Sequence, residues 1–154
     1  MNAAQFFDHW NVVWRDLMRA VALLRDEHLT FRPAANYPRT VGDILDHIAD
    51  LEAGWIHYVV LRRLPDWPQP QITRPVTLEA HRARLNQVHK ETMAYLAALP
   101  VEDFNRIVQV PGDGTPKLGW ILWHVFEQQI HHRGELFLSL SLLGLEHPEI
   151  DRPS

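Results

Sequence analysis

The sequence TPKLGWILWHVFEQQIHHRGELFLSLSLLG, residues 115–144, predicts the longest helix of this chain. Its apolar residues recur at spacings of three and four, which is typical of a helix with one buried side. Thr115 can cap the first turn, Pro116 fits within that turn, and Gly144 can adopt the left-handed conformation that ends a helix. The stretch therefore predicts a helix of about 28 residues, roughly 42 Å long.

Three further helices are predicted upstream. Helix one runs from about Ala3 to His28, again on apolar spacing. Helix two begins at Thr40, whose hydroxyl can cap free backbone N–H groups while Asp43 completes a capping box. Helix three begins at a capping Thr77 and ends at Pro100.

The eleven prolines of the chain all fall outside the interiors of these predicted helices. Residues 64–75, LPDWPQPQITRP, form a long connection between helices two and three, and residues 106–114 can hold a short extended piece. The prediction is an all-α fold, a four-helix bundle made of a single domain over residues 1–154. The core of such a bundle can host metals or ligands between facing helices.

Composition excludes several classes of function. The formal charge of −4 and the lack of a Lys/Arg run argue against a nucleic-acid-binding protein. No apolar run approaches the ~20 residues of a membrane span, and the N-terminus lacks the pattern of a signal peptide, so we expect a cytoplasmic protein. The absence of cysteine excludes disulfides, thiolate ligands and a cysteine nucleophile, so any thiol chemistry must use an external thiol.

Several polar residues share one side of the last predicted helix. They are His124, Gln128, His131, His132 and Glu135, which span roughly a third of its circumference at ~100° per residue. This side is either a metal-binding face or a solvated polar face, and the helix alone does not distinguish them.

His47 lies at or near the buried stripe of helix two. A single histidine there is usually a hydrogen-bonded core residue. It also permits a metal site, because imidazole is a common ligand of Zn, Ni, Cu or Fe, and an i,i+4 pair plus one residue of a neighbouring helix gives three ligands with an open position. Such a site can activate water or a bound thiol.

The chain resembles the DinB-like (DinB/YfiT) family over nearly its whole length. The resemblance is carried by DHIADLEAGW around His47, by GWILWHVFEQQIHHRGEL, and by LLGLEHPEID near the C-terminus. It implies a four-helix bundle, often a homodimer, with a divalent metal held by a histidine of helix two and an HxxxH pair on helix four. It also implies a small-molecule substrate and, as in related transferases and isomerases, a low-molecular-weight thiol as cosubstrate.

By position, the resemblance makes His47, Gln128 and His132 the metal ligands, with Zn or Ni as the metal. Gln128 replaces the usual histidine, and an amide oxygen is a much poorer ligand for such metals. Glu135 likewise replaces a more usual glutamine.

Three outcomes for this altered site stay open. Gln128 coordinates weakly or through water, Glu127 and His131 substitute after a one-residue rotation of the helix, or the metal has been lost. His124 and His131 are candidate general bases, since neutral imidazole accepts protons near pH 7.

These residues lead to competing functional hypotheses. The first is a metal-dependent enzyme, a thiol S-transferase or a related hydrolase. The second is a noncatalytic small-molecule-binding or stress-response module with a degenerate metal site. The third is a scaffold whose polar helix face is merely solvated.

Other residues receive simpler interpretations. Trp55, Trp120 and Trp123 are expected to pack in the core rather than to line a cavity. Gly134 suggests close approach by another helix, and Arg133 is read as a surface arginine rather than as half of an ion pair. The remaining histidines are expected to be surface or capping groups, namely His9, His28, His57, His81, His89 and His147.

Overall fold

The computed structural model describes residues 1–68 and 77–150. Five α-helices are present there: α1 (Ala3–Phe6), α2 (His9–Val21), α3 (Val41–Glu52), α4 (Leu78–Ala98) and α5 (Leu118–Leu142). A π-helix, Ala53–Val60, continues α3, and two 3₁₀ helices span Asp26–His28 and Val101–Asn105. The described ranges contain no β-strand, only two isolated bridges, so the predicted all-α fold is confirmed.

The helices pack as a bundle. Helix α3 contacts both α4 and α5, α2 packs on α5, and the short α1 packs on α4. Large apolar side chains fill the space between them without exposure to solvent, among them Trp10, Leu17, Ile44, Leu45, Ile48, Leu85, Leu122 and Leu136. Residues 69–75 of the predicted connection between helices two and three lie outside the described residues.

The predicted starts of helices two and three are confirmed. Thr40 and Asp43 form a reciprocal capping box, in which the Asp43 amide donates to Thr40 Oγ1 at 3.1 Å and the Thr40 amide donates to Asp43 Oδ2 at 2.9 Å. Thr77 Oγ1 accepts from the Ala80 amide at 3.2 Å. Both caps satisfy backbone donors that the first turn of a helix leaves free.

The predicted start of the last helix is wrong. Helix α5 begins at Leu118, and Lys117 precedes it without a side-chain cap. Residues before it form a small antiparallel ribbon, in which the Val108 amide donates to the Pro116 carbonyl at 2.9 Å and residues 107 and 117 form a bridge. The segment predicted to cap the helix is therefore used in extended structure. The predicted end is confirmed, since Gly144 has φ +73° and the Leu145 amide donates back to the Leu140 carbonyl.

Helix one is shorter and more broken than predicted. A turn at residues 7 and 8 separates α1 from α2, and α2 ends at Val21. Beyond that point Leu24 and Leu29 turn back into the core, with 4% and 7% exposure.

The π-helix after α3 carries a close contact with an indole ring. A Cβ atom at Gly54 would lie 2.5 Å from a ring carbon of Trp67, so only glycine admits this ring against the helix backbone. Trp67 in turn meets Trp55 edge to face, with ring centroids 5.6 Å apart. None of the helices in the described ranges is both long enough and apolar enough to cross a membrane.

Candidate metal centre

His47 and His132 meet between α3 and α5. Their ring centroids lie 4.6 Å apart and the rings are nearly perpendicular. His132 is buried, with 2% exposure, whereas His47 is half-buried. The packing of α3 on α5 therefore brings together the two histidines that the sequence selected.

Glu135 orients the His132 ring. Its Oε1 atom lies 3.1 Å from His132 Nδ1 and 2.8 Å from His131 Nε2. These spacings follow from the helix, because residues three and four apart share one face. A neutral His132 must therefore carry its proton on Nδ1, where it donates to the carboxylate.

The opposite nitrogen of His132 is left with a bare lone pair. His132 Nε2 is buried and has no hydrogen-bond partner among the described residues. An imidazole that donates from one nitrogen to a carboxylate and presents the other nitrogen unprotonated has the arrangement of a metal ligand. The donor set thus fits a divalent metal.

Electrostatics keep both imidazoles neutral. Burial lowers the pKa of His132 to about 4, against the opposing effect of the Glu135 carboxylate. Burial and the charge of Arg39 lower the pKa of His47 as well. Neutral nitrogens near pH 7 are required for coordination, because a protonated imidazole has no free lone pair.

A loop that precedes α3 contributes two further groups. The Tyr37 hydroxyl lies near Glu135, and burial together with this carboxylate raises the pKa of Tyr37 to about 12. Burial acts to raise the pKa of Glu135, but the Tyr37 hydroxyl and the cationic or polar neighbours outweigh it, and the pKa is lowered. Arg39 Nη2 lies 3.4 Å from His47 Nε2.

A second grouping of potential ligands shares His132. One ligand atom from each of His131, His132 and Glu135 lies within 4.8 Å of the others. The chain thus offers an inner pair, His47 with His132, and an outer group around Glu135. His132 cannot serve both through the same nitrogen, since Nδ1 faces Glu135.

A buried hydrogen-bond chain sets the rotation of α5. The Trp10 indole donates to Gln129 Oε1, the Gln129 amide donates to Glu52 Oε2, and Glu52 Oε1 lies 3.0 Å from His89 Nδ1. These groups come from four helices and are almost fully buried. Gln129 therefore points into the core, and Gln128 is half-buried beside it.

This rotation argues against one of the three alternatives for the altered position. Glu127 and His131 are both exposed, so the rotated helix that would turn this pair inward is not found. His131 reaches the cluster only through its contact with Glu135. Gln128 is half-buried, and its part in a metal site stays a prediction.

His124 lies in an aromatic cluster instead. Its ring stacks on Trp120 with centroids 4.9 Å apart and 7° between the planes, and meets Trp55 edge to face. Trp120 and Trp123 are 52% and 53% exposed, so the expectation that they pack in the core is wrong. The two rings form an exposed aromatic surface on α5.

Several other simple expectations are also wrong. His57, His81 and His89 are buried, and each lies beside an acidic side chain, Glu91, Asp46 and Glu52 respectively. No other element of the described residues comes within 4 Å of a Cβ at Gly134, so the expected close approach of a helix is not found within one chain, and a dimer contact there stays a prediction. Arg133 is buried rather than at the surface.

Sequence reasoning did not find the roles of Glu135, Tyr37 and Arg39. The spacing of Glu135 from His131 and His132 was a sufficient signal, since i,i+3 and i,i+4 pairs meet on a helix. No comparable signal marks the two loop residues, because periodicity does not place loops.

Known protein structures share this architecture. Solved structures similar to the chain include a DinB-like protein from Bacillus cereus, with 17% identity and a TM-score of 0.77, covering 97% of this chain and 98% of that one. Another is a DinB-like protein from Bacillus subtilis, with 16% identity and a TM-score of 0.75, covering 97% of this chain and 99% of that one. No curated protein gives a significant match. Residues 1–154 match the family model described as DinB family, and the chain therefore belongs to the DinB family.

Proposed function

We propose that this protein is a metal-dependent enzyme that holds a divalent ion, Zn or Ni, with His47 and His132 and uses a low-molecular-weight thiol. One observation carries the proposal. The buried His132 ring lies against His47, is oriented through Nδ1 by Glu135, and has no hydrogen-bond partner at Nε2. Buried His57 and His89 also leave one ring nitrogen without a hydrogen-bond partner, but of these three histidines only His132 lies against a histidine of another helix.

Each residue of the cluster has a distinct part. In this proposal His47 and His132 supply neutral nitrogens, Gln128 adds an amide oxygen, and Glu135 fixes the tautomer of His132. A bound metal would lower the pKa of a coordinated thiol and polarise a substrate carbonyl. Because the chain contains no cysteine, the thiol comes from outside.

Proton transfer falls to His131 in this proposal. Its side chain is 62% exposed, and its Nε2 contacts Glu135 Oε1 at 2.8 Å, so it connects the cluster with solvent. A neutral imidazole in this position can accept the proton that a thiol loses. His124 is a less direct candidate, because its ring is stacked on Trp120.

The first experiment measures metal content and affinity in protein purified without a histidine tag. We expect Zn or Ni binding in the wild type and its loss in His47→Ala and His132→Ala. His9→Ala, at an exposed position, is the matched control. If no metal is retained or bound at micromolar concentration, the proposed mechanism is rejected.

The same measurement separates the inner and outer groups. Binding by His47 and His132 predicts that His131→Ala keeps most of the affinity. Binding by the group around Glu135 predicts the reverse, with His131→Ala losing the metal and His47→Ala retaining it.

Two observations favour a noncatalytic small-molecule-binding module as the second candidate. Gln128 stands where the family resemblance implies histidine, and the Arg39 guanidinium lies against the His47 nitrogen that a metal would use. A module of this kind binds its ligand equally well with and without Zn or Ni, as thermal shifts would report. Metal-dependent turnover of a thiol and an electrophile would exclude it.

We further propose a cytoplasmic homodimer. A pool of reduced small thiols is a property of the cytoplasm. The outward side of α5 carries exposed apolar residues that a second copy would cover, namely Trp120, Trp123, Ile130, Leu138 and Leu142. Light scattering on wild type and Ile130→Glu tests this assembly, which requires the substitution to shift the mass toward the monomer.

A further inference from the structure

Arg39 places a positive charge directly beside the candidate metal ligands. It immediately precedes Thr40, the residue that caps α3, and its side chain is half-buried. Nη2 lies 3.4 Å from His47 Nε2, which is a long distance for a hydrogen bond. The guanidinium is therefore held at the cluster by a weak contact.

This guanidinium has no carboxylate of its own. Among the ion pairs of the described residues, none joins Arg39 to an acidic group within 4 Å. Glu135 is near enough to interact with its charge, but that carboxylate already contacts both His131 and His132. Most of the five N–H donors of Arg39 remain available to a ligand.

A half-buried cation beside neutral imidazoles is costly unless an anion accompanies it. Other partly buried arginines of this chain show the usual solution, since Arg84 pairs with Asp50 and Asp46, and Arg133 pairs with Asp16. Arg39 departs from this pattern at the one place where a ligand is expected. An anionic group of a ligand would complete the missing pair.

We infer that Arg39 binds a carboxylate of the ligand. The thiol or the substrate then carries an acid group close to the atom that it presents to the metal at His47 and His132. The planar fork of a guanidinium matches the two oxygens of a carboxylate. A single arginine suits this anion better than a phosphate, which usually draws on several donors. The inference deepens the proposed function by naming an acidic substrate class, and it rests on that proposal only for the metal-bound form.

The test compares matched probes that differ in charge. Cobalt-loaded protein is titrated with thioglycolate and with 2-mercaptoethanol, and binding is followed by the thiolate-to-cobalt absorption and by calorimetry. A charge-assisted hydrogen bond predicts roughly 10-fold to 100-fold tighter binding of thioglycolate. Inorganic phosphate serves as a competitor, and it should displace thioglycolate only weakly.

Variants assign the preference to Arg39. In Arg39→Gln the ratio of the two affinities should fall to about one, and Arg39→Lys should keep part of it, because an ammonium retains the charge without the fork. Arg82→Gln is the control, since Arg82 is exposed on α4, and the ratio should be unchanged. An unchanged ratio in Arg39→Gln, or no preference in the wild type, overturns the inference.

Metal-free protein distinguishes this inference from the proposed function. Cobalt binding is measured first, so its absence counts against the metal-dependent enzyme alone. Succinate and its neutral analogue succinamide are then compared by calorimetry in wild type and Arg39→Gln without metal. Selective binding of succinate that requires Arg39 supports the inference, and equal binding of both probes overturns it.

Discussion

Asp16 and Arg133 form an ion pair inside the bundle, between α2 and α5. Arg133 Nη1 lies 3.0 Å from Asp16 Oδ2, with side chains that are 10% and 0% exposed. Arg19 approaches the other carboxylate oxygen at 3.4 Å, but its side chain is 44% exposed. We expect Asp16→Asn to destabilise the fold, because the amide leaves the buried guanidinium without a counter-charge.

The size of the effect follows from this burial. Removing one member of a buried ion pair costs about 3–5 kcal/mol. Asparagine keeps the volume and one acceptor oxygen, so we expect the lower end, about 3 kcal/mol. In a domain of this size each kcal/mol changes Tm by about 2–4 °C, which gives a decrease of about 6–12 °C.

Urea and thermal unfolding followed by circular dichroism measure the change. Arg19→Gln is the matched control. Its free energy of unfolding should fall by no more than about 1 kcal/mol, since the Arg19 side chain is nearly half exposed to solvent. The double variant Asp16→Leu, Arg133→Met should recover much of the loss, because apolar residues can replace a buried pair. A loss below about 0.5 kcal/mol in Asp16→Asn would refute the reasoning, since it would mean that water screens the pair.

Three further outcomes are expected. Glu135→Gln should weaken metal binding by roughly 10-fold to 100-fold in a chelator competition, since it removes the carboxylate that orients His132, and an unchanged affinity would contradict this role. Because burial lowers the pKa of His132 to about 4, the unfolded chain takes up a proton below about pH 6.5 that the folded chain refuses. The stability of metal-free protein should therefore fall between pH 6.5 and pH 4 more steeply than in His132→Gln, and equal urea profiles would speak against the shift. Gly54→Ala should lower the free energy of unfolding by about 1–3 kcal/mol and change tryptophan fluorescence, because the new Cβ would lie 2.5 Å from the Trp67 ring. Gly134→Ala is the control and should be neutral or stabilising by up to ~1 kcal/mol, because no other element lies within 4 Å of that Cβ. An unchanged stability in Gly54→Ala would show that the Trp67 ring moves freely.

The fold was largely accessible from the sequence because its signals are local. The capping box at Thr40 and Asp43 involves residues three apart, and the end of α5 at Gly144 depends on one backbone conformation. Such features form in the first or last turn of a helix whatever surrounds it. The start of α5 was missed because Pro116 and Lys117 pair with residues 107 and 108 in a small antiparallel ribbon, which helical periodicity does not register.

The candidate site was accessible only in part. His47 and His132 were selected by position, and the structure brings their rings together. The pairing of Arg133 with Asp16 joins residues 117 positions apart, and Arg39 lies on a loop whose path depends on the whole bundle. Interactions of this kind depend on tertiary packing, so one sequence without relatives does not reveal them.

In α5 the residue that fixes the position of the helix, Gln129, is not the residue that differs from the family pattern, Gln128. Because the Gln129 side chain locks the helix from within, its neighbour at position 128 is free to change identity while the scaffold stays as it is. Glutamine and histidine codons differ by a single nucleotide. An evolving lineage can thus gain or discard an imidazole at the rim of the cluster in one mutational step, without first redesigning the bundle that holds it.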